Sequence, residues 1–353
     1  MKIDSATIKA AVNRCQELLV MAIYTSFFFT LPLNSYYAII LILIFGSNLA
    51  RALLLVYWTI IYLRHKLNVA RIDGNGCMLM RDNAIGRIYR RYFPVQLIKT
   101  ADLPPNKNYI IASFPHGILG TGICMNMAFD IGVWFKLFPQ VRPKVATLDQ
   151  HFYTPFLRHF IRWWWGLISV SKESLMYYLT KSNNPQHPDN RDGFTSNAVA
   201  ILVGGAQEAL DSNPGEYILT LRKRKGFVKM AVRTGSAIVP SFSFGEVDIF
   251  QQVANPPNSK LRNFQIAVKK RTGIAPLIPL GRDIFHYPFG VVPYRRPITQ
   301  VLGAPIEVVQ SDDPDPAYVD ELHGKVIKAL EDMFEEYKGK YLKDPETKQL
   351  IIN

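Results

Sequence analysis

One histidine, His116, sits in the run Ser113-Phe114-Pro115-His116-Gly117-Ile118-Leu119-Gly120-Thr121-Gly122, directly after the apolar Tyr109-Ile110-Ile111-Ala112. Imidazole has an unperturbed pKa of about 6.5, so near neutral pH it is mostly free to take a proton from a reacting hydroxyl. Any reaction in which a hydroxyl attacks can use such a base, because an alcohol is a poor nucleophile while protonated. Gly117 and Gly120 suit that chemistry: without side chains they let the backbone approach a substrate and offer amides to a developing oxyanion. No serine or cysteine nucleophile with a partner stands out, so direct attack by the acceptor hydroxyl is simpler than a covalent intermediate.

The same glycines permit a rival. Gly117, Gly120 and Gly122 after a strand have the spacing of a dinucleotide-binding turn, and Tyr177 with Lys181 supplies the tyrosine–lysine pair of a membrane-anchored short-chain dehydrogenase. Against it, Trp163-Trp164-Trp165 occupies the place of that family's catalytic serine. A long basic segment precedes the glycine turn, and no acid ends a second strand to take a ribose. Other templates are absent: there is no Gly-x-Ser-x-Gly elbow and no Gly-x-x-x-x-Gly-Lys phosphate loop, and the closest histidines, His151 and His159, are eight apart.

Three more stretches join the histidine run. Tyr92-Phe93-Pro94 follows two arginines. Glu208 stands just beyond an apolar strand and a Gly204-Gly205 turn, and Leu221–Pro240 contains the basic Arg222, Lys223, Arg224, Lys225 and Lys229. In this order and spacing, over about residues 90 to 310, they resemble the type-2 diacylglycerol acyltransferase family, which includes monoacylglycerol and wax-alcohol acyltransferases. The resemblance implies acyl-CoA as co-substrate with no further cofactor or metal, and diacylglycerol as acceptor, with monoacylglycerol or a wax alcohol as alternatives. It also implies a site in the endoplasmic reticulum membrane or at lipid droplets, the catalytic body facing the cytosol, with a homo-oligomer left open.

One departure matters. The family usually reads His-Pro-His-Gly, and Phe114 replaces the first histidine, so His116 inherits the catalytic role; if Phe114 marks a degenerate site, the chain is an inactive lipid-binding scaffold. Related glycerolipid acyltransferases place an aspartate five residues after the histidine, where this chain has Thr121. Glu208 is the best candidate for the missing acid, against the reading of a helix cap or surface carboxylate. Phe114 and Pro115 are expected to wall the pocket. Tyr92, Phe93 and Pro94 are expected to shape a path for the lipid acceptor or to pack at the interface. The Arg222–Lys229 cluster is expected to meet the phosphates of coenzyme A at a helix start, or else lipid headgroups.

Composition frames these motifs. The chain has 353 residues, a formal net charge of +13 and 48% hydrophobic residues, which favours an anionic partner and excludes general disorder. Charge alone leaves nucleic acid open, but the basic residues sit beside an apolar segment and in one cluster with no binding module. Three cysteines, Cys15, Cys77 and Cys124, make neither a disulfide framework nor a zinc site. Leu18–Leu33 carries no charge and Tyr36–Leu63 only Arg51. With Lys2, Lys9 and Arg14 before, Arg64, Lys66 and Arg71 after, and an uncharged turn at residues 32–35, the pattern predicts a membrane hairpin over residues 1–66 with both ends cytosolic, the alternative being a single span of the second stretch. Residues 67–353 then form the acyltransferase domain. There, short apolar runs (Tyr109–Ala112, Val145–Leu148, Ala198–Val203, Ala237–Phe242, Thr299–Leu302) alternate with helical candidates, which predicts an α/β fold, and Tyr318–Tyr337 reads as an amphipathic helix packed on it.

Overall fold

The structure is a computed structural model that describes residues 4–66, 81–190, 192–283, 287, 290 and 292–353; Arg71, Cys77 and the expected boundary at residue 67 lie outside them. Its centre is a seven-stranded sheet of β1 (Val95–Lys99), β2 (Tyr109–Phe114), β3 (Val141–Thr147), β4 (Ile168–Ser169), β5 (Ser196–Leu202), β7 (Ala237–Phe244) and β10 (Ile298–Leu302), in the order β1-β10-β7-β2-β5-β3-β4. Strands β4, β3, β5, β2 and β7 run parallel, β10 is antiparallel to β7, and β1 is parallel to β10. Minor pairs join β6 (Tyr217–Leu219) to β11 (Leu350–Ile352) and β8 (Gln251–Gln252) to β9 (Pro279–Leu280).

The helices are α1 (Ser5–Phe45), α2 (Asn48–Lys66), α3 (Ala84–Tyr92), α4 (Thr121–Cys124), α5 (Gly132–Leu137), α6 (Leu157–Trp163), α7 (Lys172–Leu179), α8 (Gly205–Asp211), α9 (Gly226–Thr234), α10 (Lys260–Thr272) and α11 (Pro316–Tyr341). Strand β2 is buried along its whole length, as its unbroken apolar run requires of a strand covered on both faces. Ile110, Ala112 and Phe114 join the core beneath α7, α9 and α11, whereas Tyr109 and Ile111 join a second core with Trp134, Ile161 and Trp165. The α/β class and the C-terminal helix are as the periodicity predicts; Val319, Leu322, Val326, Leu330 and Phe334 form the buried stripe of α11.

The N-terminal region departs from its expectation in where the chain turns and in the apolar length of its helices. Helix α1 continues through Asn34-Ser35, and the chain turns at Gly46-Ser47 instead. Gly46 leaves the helix extended while its N–H still reaches the Ile42 carbonyl, and the Ser47 hydroxyl accepts from the Ala50 N–H. The Arg51 guanidinium donates to the Ile44 carbonyl at 3.0 Å. The single charge of the second apolar stretch thus satisfies the end of α1. Among the described residues, no helix is long and apolar enough to cross a membrane.

Candidate active site

His116 lies just past the end of the central strand. A cis Phe114–Pro115 bond leads into it, Gly117 follows with φ +58°, and the Gly120 N–H closes the turn on the His116 carbonyl at 2.9 Å. Nδ1 of the ring is 3.0 Å from the Gly117 carbonyl. With the proton on Nδ1 donated to that oxygen, Nε2 is left bare to accept another; the tautomer is assigned from this partner. Burial pushes the imidazole pKa below its usual value, so the ring is neutral at neutral pH, the state a general base needs. Cys124 is no competing nucleophile: burial pushes its thiol up to about 12.

The amides after the histidine are the second feature. Among the described residues no acceptor meets the backbone N–H of Gly117, Ile118 or Leu119, although Gly117 and Ile118 are buried. Unpaired buried N–H groups are rare, and consecutive ones beside a base form a donor set for an oxyanion.

Two carboxylates hold this loop. Glu208, on α8 and 2% exposed, accepts from the His116 N–H at 2.5 Å and from the Thr220 N–H at 3.0 Å. It meets the backbone of His116 and not its ring, so the imidazole is oriented by the Gly117 carbonyl. A Cβ at Gly204 would fall 1.8 Å from the Glu208 carboxylate, which accounts for glycine there. The sequence reading missed the second carboxylate. Glu246, 1% exposed, follows β7 and accepts from the Thr121 N–H and the Gly122 N–H, both at 2.7 Å. Its signal was a Gly245-Glu246 pair just past a buried strand, the same glycine-then-acid pattern that marks Glu208. Burial drives each carboxyl up to about 7 against the pull of its amide partners; for Glu208 the Arg224 charge also pulls it back.

A sequence profile described as "Diacylglycerol acyltransferase" matches residues 43–353. The chain belongs to the diacylglycerol acyltransferase family. It is therefore an acyltransferase. It is 41% identical over 273 residues to the Bos taurus "2-acylglycerol O-acyltransferase 1", covering 77% of this chain and 78% of that one. It is 37% identical over 280 residues to the Dictyostelium discoideum "Diacylglycerol O-acyltransferase 2", covering 79% and 81%. The solved 1-acyl-sn-glycerophosphate acyltransferase of Thermotoga maritima aligns with a TM-score of 0.38 at 12% identity, over 82% of this chain and 97% of that one.

Other residues expected at the family's site divide sharply. Phe114 is the last residue of β2, and strand alternation turns its side chain into the core, where it is fully buried. Pro115 is buried behind it. Tyr92 and Phe93 are buried, packed with Met21 of α1 and Ile118 of the histidine loop. The Tyr92 hydroxyl donates to the Pro293 carbonyl, and the Pro94 carbonyl accepts from the Ile298 N–H. This motif braces the loop from behind. In the basic cluster, Arg222 donates through Nε to the Ile352 carbonyl at 2.8 Å and Lys225 pairs with Asp320 of α11 at 2.6 Å, so both serve the fold. Lys223 and Lys229 are exposed, and the Arg224 charge reaches Glu208. An unforeseen basic helix, α10, clamps α8: Arg262 pairs with Asp211 and Lys269 donates to Gln207. Among the described residues no group of acids, histidines and cysteines could hold a metal.

Proposed function

We propose that the chain transfers a fatty acyl group from acyl-CoA to diacylglycerol, forming triacylglycerol. The observation that carries this reading is the neutral His116 ring beside three consecutive amides that meet no acceptor among the described residues. The acceptor hydroxyl attacks the thioester carbonyl carbon while Nε2 of His116 takes its proton. The amides of Gly117, Ile118 and Leu119 receive the oxyanion. The C–S bond then breaks, and the departing sulfur takes the proton back from the imidazolium as coenzyme A thiol. Similarity to both 2-acylglycerol and diacylglycerol acyltransferases makes monoacylglycerol the second acceptor to test. Labelled oleoyl-CoA supplied to membranes holding the protein, with a panel of lipid alcohols, should give labelled triacylglycerol as the main product. No ester with any alcohol would overturn the reading.

On the donor side, Arg224 is the member of the basic cluster that combines freedom from the C-terminal strand with closeness to Glu208. Arg224→Gln should raise the KM for acyl-CoA about tenfold, the scale of one charge-assisted contact, and leave the KM for diacylglycerol nearly unchanged. Arg222→Gln should instead lower the Tm, because its guanidinium holds the C-terminal strand. Equal donor KM in wild type and Arg224→Gln would reassign that charge.

The reading places α1 and α2 in the endoplasmic reticulum membrane with the catalytic body toward the cytosol. It is supported by exposed apolar side chains along both helices, including Leu33, Tyr37, Ile44, Phe45, Leu49 and Leu53. Neither alkaline carbonate nor high salt should extract the protein, and protease outside intact microsomes should remove tags from both ends. Release by salt alone would mean attachment by charge.

A further inference from the structure

We propose that Glu246 is a positioning residue for acyl transfer: by holding the amides of Thr121 and Gly122 it fixes the far end of the loop that carries His116 and its unpaired amides. The proposal rests on the acyl-transfer reading above. Strand β2 lies between β5 and β7 in the sheet, and the segment after each neighbour sends one carboxylate to the loop at the end of β2. Glu208 takes the near end, at the His116 N–H, and Glu246 the far end, at the Thr121 and Gly122 N–H groups.

The contact is close along the whole loop. A Cβ at Gly117 would lie 2.8 Å from Cγ of Glu246 and 3.2 Å from its carbonyl oxygen, and one at Gly122 would lie 3.3 Å from Oε2. Gly117, with φ +58°, is therefore glycine both for its backbone and for this carboxylate. Helix α4 has only four residues, and the two amides bound by Glu246 belong to its first turn, where no intrahelical acceptor exists. Glu246 is itself fixed from behind. Gly245, at φ +83°, would place a Cβ 2.2 Å from the Pro297 carbonyl that precedes β10. The titratable groups whose fields involve Glu246 are Tyr89 of α3, Cys124 of α4 and Tyr217 of β6. All three are uncharged near neutral pH, so the groups that draw on the carboxylate as donors are the two amides and, beside them, the Thr121 hydroxyl.

A carboxylate offers an acceptor to each amide; a carboxamide offers one acceptor and turns a donor toward the other. Glu246→Gln in the full-length protein should therefore keep its shape and free one loop amide. We expect kcat to fall about ten- to a hundredfold while the KM values for acyl-CoA and diacylglycerol stay within about threefold, because the change acts on the transition-state donors. Glu246→Asp, which retains two acceptors, should recover part of the loss. Amide hydrogen exchange at Thr121 and Gly122 should speed up about tenfold or more in Glu246→Gln, with the amides of β2 unchanged. This arm needs no activity, so it decides the holding role even if the wild type makes no ester. Unchanged exchange at both amides would overturn the proposal. So would an unchanged kcat, or a loss matched by loss of folded protein.

Discussion

His116→Ala should lower kcat by about a hundredfold or more at normal protein abundance, the usual scale for removing a general base. The fold should tolerate the change, since the ring is partly exposed and bonds the carbonyl of the adjacent Gly117, a partner in its own loop. His116→Gln matches the imidazole in size and can still donate to that carbonyl, but it cannot take up a proton. It should be nearly as inactive. The residual rate in both variants reports what the amides of Gly117, Ile118 and Leu119 achieve alone. Adding Glu208→Gln to His116→Ala should cost less in kcat than Glu208→Gln costs alone, because placing the ring no longer matters and only the hold on the loop amides remains to be lost. Substantial activity in His116→Ala, measured with acyl-CoA and diacylglycerol saturating, would falsify the general-base assignment.

The histidine loop was legible because its determinants are local: an apolar strand, a turn demanding glycine, and one residue able to take a proton at neutral pH. The pairing of Glu208 with His116 came from two glycine turns after two buried strands. That the contact would be to a backbone amide did not, since linear spacing says nothing about which atom a carboxylate reaches across the sheet. For Phe114 the loop motif points toward the site, whereas the β2 alternation with Ile110 and Ala112 turns its side chain into the core. Arg222 and Lys225 read as a phosphate site by charge alone. Their engagement by Ile352 and Asp320 depends on contacts more than 90 residues away in the chain. Glu246 escaped notice for the same reason: its partners, Thr121 and Gly122, precede it by 125 and 124 residues. In the N-terminal region, residues 32–35 looked like the turn between two apolar stretches. Gly46 is the better stop, because its extended backbone ends α1 and the Ser47 hydroxyl caps the start of α2.

Stability and activity should respond to pH in opposite directions, and Glu208 provides the clearest case. Its carboxyl is driven by burial from an ordinary 4.5 up to about 7 in the folded protein. Between those values the folded chain binds a proton that the unfolded chain has released, so stability falls as pH rises through the window. The gap corresponds to about 3 kcal/mol at 1.36 kcal/mol per unit, present in full below the unfolded pKa and lost above about 7. Glu246 has the same direction and the same window, so the two effects add. Wild-type protein should therefore show a higher Tm near pH 5 than near pH 8, and Glu208→Gln, which has no proton to bind, should flatten that slope. Activity should climb over the same interval. Only the ionised carboxylate can accept from both the His116 and Thr220 amides, since a protonated one points a hydroxyl donor at one of them. The acid limb of kcat should consequently fall near pH 7, above the limb that a lowered imidazole pKa alone would give. In Glu208→Gln that limb should change shape while kcat at its maximum drops about tenfold, the cost of leaving one buried amide without an acceptor. A Tm that rises with pH across this window, in wild type and Glu208→Gln alike, would show that the buried carboxylates carry no such load.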